Sequence, residues 1–253
     1  MERIKTGILE LDEMLGGGFM PGDAVLIAGS AGSGKTTLAL QYLVNGVTQF
    51  GDRGIYVTFE ELPNQIYRDA KSFGWDLRKL EEENKFRLIC TSPNLLMQAE
   101  GGENILDEPI KEIQPQRIVI DSLSHLQMYV PESELRKEAY RLTMYLKTKR
   151  LNSVFTWESP QIVGQSLSVT EAGMSFLVDG IVLLRYVEIE SSMRKALVIL
   201  KLRGSDHSKE LREFVITSQG IKVAAPFAQY EGIITGAPKK LMPNGFMQAS
   251  NQR

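Results

Sequence analysis

Gly29-Ser30-Ala31-Gly32-Ser33-Gly34-Lys35-Thr36 decides how this chain is read. The stretch matches G-x-x-x-x-G-K-[ST] at every fixed position, the pattern of a loop that holds nucleotide phosphates. Each residue type has a physical reason. Glycines at 29, 32 and 34 let successive backbone N–H groups converge on one anion without Cβ obstruction. A helix starting near Lys35 aims the positive end of its dipole at the same anion. Lys35 brings a compact charge to the β- and γ-phosphates, and the Thr36 hydroxyl can coordinate Mg²⁺. The expected nucleotide-binding set therefore runs from Gly29 to Thr36 and takes in Thr37. The flanks agree, because the apolar run Ala24 to Ala28 predicts a buried central strand and Lys35 to Gly46 predicts a helix.

Outward from the loop, short apolar runs alternate with helix-period segments. This is the pattern of a mostly parallel sheet covered on both faces. Ile55 to Phe59, Phe86 to Cys90, Ile118 to Ile120 and Ser153 to Trp157 are further expected strands. Helices are expected where Ile66, Ala70 and Phe73 share a face, and where Leu135, Ala139, Leu142 and Leu146 recur. Beyond residue 180 the texture changes. Gly180 to Tyr186, Ala196 to Leu202 and Glu213 to Ile216 follow one another without long helices, which predicts an antiparallel extension. Glu100 to Glu103 reads as a surface loop, and Pro238 to Arg253 as a polar, mobile tail. The expected organisation is an α/β ATPase domain over 1–237 followed by a tail over 238–253.

The bulk numbers fit an ordinary globular domain: 253 residues, 43% apolar, 24% charged and a net charge of −2. No basic excess marks a duplex-binding protein, so a nucleic-acid partner is not expected. The local cluster Lys147, Lys149 and Arg150 reads as a solvated helix C-terminus. Cys90 is the only cysteine, which points to a reducing compartment, and its neighbours Leu88 and Ile89 predict a buried thiol. No apolar run approaches the ~20 residues that span a bilayer, nor does Met1 to Lys5 lead into a secretory segment. The expectation is a cytoplasmic protein with no membrane contact.

Three groups outside the loop carry chemistry. Ile118-Val119-Ile120-Asp121 ends a strand in a carboxylate, as a second Mg²⁺-holding group requires. Glu60 and Glu61 follow the strand Ile55 to Phe59, at the edge where open α/β sheets bind ligands. Glu60 is the preferred candidate to align water or hold the metal, whereas Glu61 also suits the acidic first turn of a helix before Pro63. Lys201 and Arg203 flank Leu202, so period-two geometry puts both cations on one strand face, with His207 after a turn at Gly204. Alone the pair reads as a solvated face; beside a phosphate loop it matches the extra cation of phosphoryl transfer, often lent by another subunit.

Together these segments resemble the KaiC-type ATPases of the RecA-like superfamily. The resemblance rests on Thr6 to Met14, Gly16-Gly17-Gly18, the phosphate loop, Phe59-Glu60-Glu61 and Ser72-Phe73-Gly74-Trp75-Asp76. It continues through Ile120-Asp121-Ser122, Lys201-Leu202-Arg203-Gly204-Ser205-Asp206-His207, Glu213 to Ile216 and Gly232 to Gly236. The family's namesake has two such domains in tandem. This sequence spans one and is more similar to the second, particularly through Leu11 to Gly18, Val187 to Ile189 and Ile233-Ile234.

The resemblance implies a RecA-like P-loop fold, Mg²⁺-dependent ATP hydrolysis with slow turnover, and a homohexameric ring holding ATP between subunits. It implies that Lys201, Leu202, Arg203, Ser205 and His207 complete a neighbour's site, that Ser72 and Phe73 lie near the nucleotide, and that Glu60 or Glu61 activates the attacking group. Glu158 is a lesser candidate for sensing the γ-phosphate. The family's second domain carries an adjacent Ser-Thr pair that accepts phosphate; here the pair reads Ser175-Phe176, with Thr170 upstream. A two-site phosphorylation cycle is therefore not expected. Ser175 stands either as a small interface residue or as the acceptor of a serine autokinase, and a recombinase-like DNA-dependent ATPase is a further alternative. The tail is a candidate docking segment for a regulatory protein.

Overall fold

A computed structural model describes residues 2–97, 104–159, 174–233 and 239–240. The strands in chain order are β1 (Ala24–Gly29), β2 (Gly54–Thr58), β3 (Phe86–Cys90), β4 (Arg117–Asp121), β5 (Asn152–Glu158), β6 (Gly180–Ile189), β7 (Ser192–Leu202), β8 (Arg212–Thr217) and β9 (Gly220–Pro226). Among the described residues they form one sheet in the order β3-β2-β4-β5-β1-β6-β7-β8-β9. The first six positions in that order are parallel, and β6 through β9 continue as antiparallel hairpins. The α/β expectation and the antiparallel extension are both found. Strand β9 has no clear sequence signal, because Ile221 and Val223 alternate with polar and small neighbours too briefly to stand out.

The helices are α1 (Leu9–Met14), α2 (Lys35–Gln49), α3 (Pro63–Ser72), α4 (Leu77–Glu82), α5 (Pro93–Met97), α6 (Asp107–Ile113) and α7 (Glu132–Thr148). They cover both faces of the sheet, and period-two alternation shows it directly. Val25 and Ile27 of β1 belong to the core under α1 to α4, while Ala24, Leu26 and Ala28 belong to the core under α6 and α7. Because β1, β2, β4 and β5 run parallel, their carboxyl ends gather at one edge, and ligands of such sheets bind there.

Three local expectations are corrected. Cys90 is exposed rather than buried, since β3 is an edge strand and its last residue has a neighbour on one side only. Lys147 and Lys149 are ion-paired rather than simply solvated: Lys147 Nζ lies 2.6 Å from Asp179 and Lys149 Nζ lies 2.8 Å from Asp107. Lys239–Lys240, placed by sequence in the tail, pair antiparallel with Tyr230–Glu231. The rest of that segment, Thr170, and the loop at Glu100 to Glu103 lie outside the described residues.

Candidate functional site

The phosphate loop leaves β1 at Gly29 and enters α2 at Lys35. Gly34 caps α2 with φ +109°, a left-handed conformation that any side chain strains, and an added Cβ would sit 3.1 Å from Ile216. At Gly29 a Cβ would stand 2.6 Å from the Leu184 carbonyl oxygen and from Ser33 Oγ, so only hydrogen fits. No side chain caps the first turn of α2, which leaves its N–H groups for another acceptor. The hydroxyls of Ser30 and Ser33 are buried without a hydrogen-bond partner among the described residues. A cradle with unspent donors and orphaned hydroxyls fits a bound triphosphate.

Lys35 is nearly buried. Its Nζ donates to the Ser30 carbonyl at 2.8 Å and lies 3.7 Å from Glu158 Oε2. Burial pushes the Lys35 ammonium below its ordinary pKa, and Glu158 and Asp121 oppose that shift. Asp121 accepts hydrogen bonds from Tyr56 OH, at 2.6 Å, and from the Thr156 hydroxyl. Both oxygens are thereby oriented, while the side chain still faces a cavity of about 570 Å³.

That cavity is lined by Gly32, Lys35, Thr36, Glu60, Glu61, Asp121, His125, Trp157 and Glu158, among others. Thr36 and Asp121 offer hard oxygen donors suited to Mg²⁺. Among the described residues no three His, Cys, Asp or Glu side chains form a metal cage, and Mg²⁺ held by few protein ligands plus phosphate and water needs none. Burial, followed by the charge of Asp121, pushes the Glu61 carboxyl above its ordinary pKa. Glu60 is more exposed and meets His125, which sequence reasoning overlooked.

The remaining expected residues are not on this cavity. Lys201 Nζ donates to the carbonyls of Ser175 and Val178, both at 2.7 Å, and Arg203 donates to the Phe176 carbonyl at 3.1 Å. The two cations do share one side, as period-two geometry predicts. Burial, then the neighbouring Arg203, holds the Lys201 ammonium below its ordinary pKa. Register places them far from their own phosphate loop: Lys201 pairs with Ile181, which pairs with Leu26, three residues before Gly29. Lys201 thus lies roughly 10 Å back along the strand from the loop, and Arg203, whose N–H donates to the Asp179 carbonyl beside Ala24, lies level with the amino-terminal start of β1.

Leu202 is buried in the core, and His207 and Ser205 sit in the following turn, where Ser205 bonds Arg3. Ser72 Oγ donates to the Asp69 carbonyl, and Phe73 packs against Trp75 at 4.8 Å; neither lines the cavity. Thr37 is half-buried and does not line it either. Two residues without a sequence signal do support the loop: Tyr186 OH and Lys195 Nζ donate to the Gly32 carbonyl at 2.6 and 3.0 Å. They come from β6 and β7, some 150 residues away in the chain, so no local pattern could mark them.

With β1 between β5 and β6 and carboxylates after β2 and at the end of β4 beside its loop, the fold and site are those of a RecA-like P-loop nucleotide-binding protein. The comparisons narrow that class. The family model "ATPase: KaiC" matches residues 4–227, and the chain belongs to that family. It is 36% identical over 236 residues to the circadian clock protein KaiC3 of Synechocystis sp., covering 93% of this chain and 46% of the relative. It is 37% identical to the circadian clock oscillator protein KaiC of Thermostichus vulcanus and 35% identical to that of Synechococcus elongatus. Both matches run over 242 residues and cover 94% of this chain and 46% of each relative. The chain thus spans about half the length of the curated relatives it matches. Among the described residues no helix is long and apolar enough to cross a membrane.

Proposed function

We propose that this protein is a slow, Mg²⁺-dependent regulatory ATPase whose active site is completed by a second copy of the chain in a ring, a hexamer by family resemblance. One observation carries the reading. The cavity at the phosphate loop is rich in carboxylates, with Glu60, Glu61, Asp121 and Glu158, while Lys201 and Arg203 lie at the opposite edge of the same subunit. Packing one copy's basic edge onto another's cavity joins the two sets head to tail, the geometry of a closed ring.

In this mechanism the loop N–H groups and Lys35 hold the phosphates. Glu60 orients the attacking water and accepts its proton. Lys201 and Arg203 of the second copy stabilise charge on the γ-phosphoryl during transfer. Thr36 and Asp121 would hold Mg²⁺, which would supply neutralisation of the phosphate charge. The nucleotide state of each interface then sets the packing between copies, which a regulatory protein can read.

Mass determination in solution by light scattering, with and without Mg²⁺-ATP, tests the shared site. Association that depends on or is strengthened by nucleotide is expected. A monomer under both conditions that still hydrolyses ATP would contradict it.

A further inference from the structure

His125 lies in the 3₁₀ turn Leu123–Met128, directly after β4 and Asp121, and lines the cavity. Its Nε2 stands 3.1 Å from Glu60 Oε2, across the gap between the ends of two neighbouring strands, β2 and β4. The ring itself is held. Its Nδ1 is 3.3 Å from the Ser122 carbonyl oxygen, and Phe59 packs against it with ring centroids 6.4 Å apart. The turn is fixed in its own right, since Ser122 Oγ accepts from Ser124 N at 3.1 Å and Ser124 Oγ accepts from Glu158 N at 2.6 Å.

The two partners differ in how well they are anchored. The His125 side chain is 22% exposed, whereas that of Glu60 is 72% exposed. An exposed glutamate samples several rotamers, and holding it in one costs side-chain entropy that a partner contact must offset. Two other carboxylates of the cavity have different supports: Asp121 is held by Tyr56 and Thr156, and Glu158 lies against Lys35. For Glu60 the restraint comes from His125.

We infer that His125 is a positioning residue for the reaction, which fixes the Glu60 carboxylate over the phosphate crevice before water is attacked. Acid–base groups act only from the right distance and direction, so an unrestrained Glu60 would spend much of its time unproductively placed. The inference rests on reading Glu60 as the group that orients water.

The test compares the 253-residue chain with its Glu60→Gln, His125→Ala and His125→Gln variants, measuring kcat and KM for Mg²⁺-ATP. Affinity for a fluorescent ATP analogue and the melting temperature are measured in parallel. Glu60→Gln should lose turnover. His125→Ala should lower kcat roughly ten-fold, part of the ~100- to 10,000-fold that a positioned base contributes, with KM and analogue affinity unchanged. His125→Gln keeps an N–H donor near Nε2 and should recover most of that loss. The role of His125 is overturned if His125→Ala retains wild-type kcat while Glu60→Gln is inactive. It is equally overturned if both histidine variants lose the same activity, or if the loss falls on affinity instead of kcat. Wild-type turnover in Glu60→Gln would instead reject the reading of Glu60, a separate failure.

Discussion

Two lysines on β7, six residues apart, meet opposite ends of the sheet. Lys195 reaches the phosphate loop and donates to the Gly32 carbonyl. Lys201 reaches the carbonyls of Ser175 and Val178, at the other edge, beside Arg203 and Asp179. The first edge holds what one chain can build alone: a loop, carboxylates and a scaffold that orients them. The second holds two cations that bond carbonyls of their own chain away from the phosphate loop. On the proposed reading, a site divided this way acts only when copies meet, which would link turnover to assembly.

The comparison predicts a graded series. The largest effect is expected from Arg203→Ala: turnover should fall roughly 1,000-fold, as for other cations lent in trans, with nucleotide affinity close to wild type. Steady-state turnover and analogue titration separate the two quantities; an equal loss of affinity would mean that the cation binds ground-state nucleotide. Lys35→Ala should weaken nucleotide binding roughly 100-fold, since a hydrogen bond to a charged group contributes up to about 3 kcal/mol. Lys195→Ala removes one of two donors to the Gly32 carbonyl and should weaken affinity roughly five-fold, about 1 kcal/mol. A Lys195 variant as damaged in turnover as Arg203→Ala would erase the distinction between the edges.

The smallest effect serves as a control. Asp107 touches neither edge; its hydrogen bond from Lys149 holds its carboxyl down at about 2, with Tyr145 and the Asn104 N–H adding to it while burial opposes. A folded-state pKa below the unfolded value of ~3.9 stabilises the protein above that value. The contribution is lost as pH falls from about 4 toward 2. Asp107→Asn should therefore melt slightly below wild type at pH 7, with the gap closing in acid and ATP turnover unchanged.

What was legible in the sequence followed from locality. The loop, Asp121 and the Glu60-Glu61 pair are short motifs on or beside predicted strands, and Ala31, Gly32, Lys35 and Thr36 of the loop line the cavity together with the three carboxylates. The central strands read well because apolar runs in a doubly covered sheet are unbroken. Cys90 reads as buried from sequence because Leu88 and Ile89 look alike in edge and central strands, and only the strand order distinguishes them. The ion pairs of Lys147 and Lys149 join residues about 30 to 40 apart in the chain, and His125 reaches Glu60 across 65 residues, so local sequence showed none of them. The six-residue helices α1 and α4 are too short for a helical period to register.

The most direct test of the divided site mixes two chains that are each inactive, Arg203→Ala and Glu60→Gln, under conditions where subunits exchange. A site formed by the loop of the first and the cations of the second is intact. Random head-to-tail assembly makes about a quarter of the sites in an equal mixture of that kind. Recovery of about that share of wild-type turnover is the predicted result. No recovery, with both variants binding nucleotide and exchanging subunits, would contradict the account.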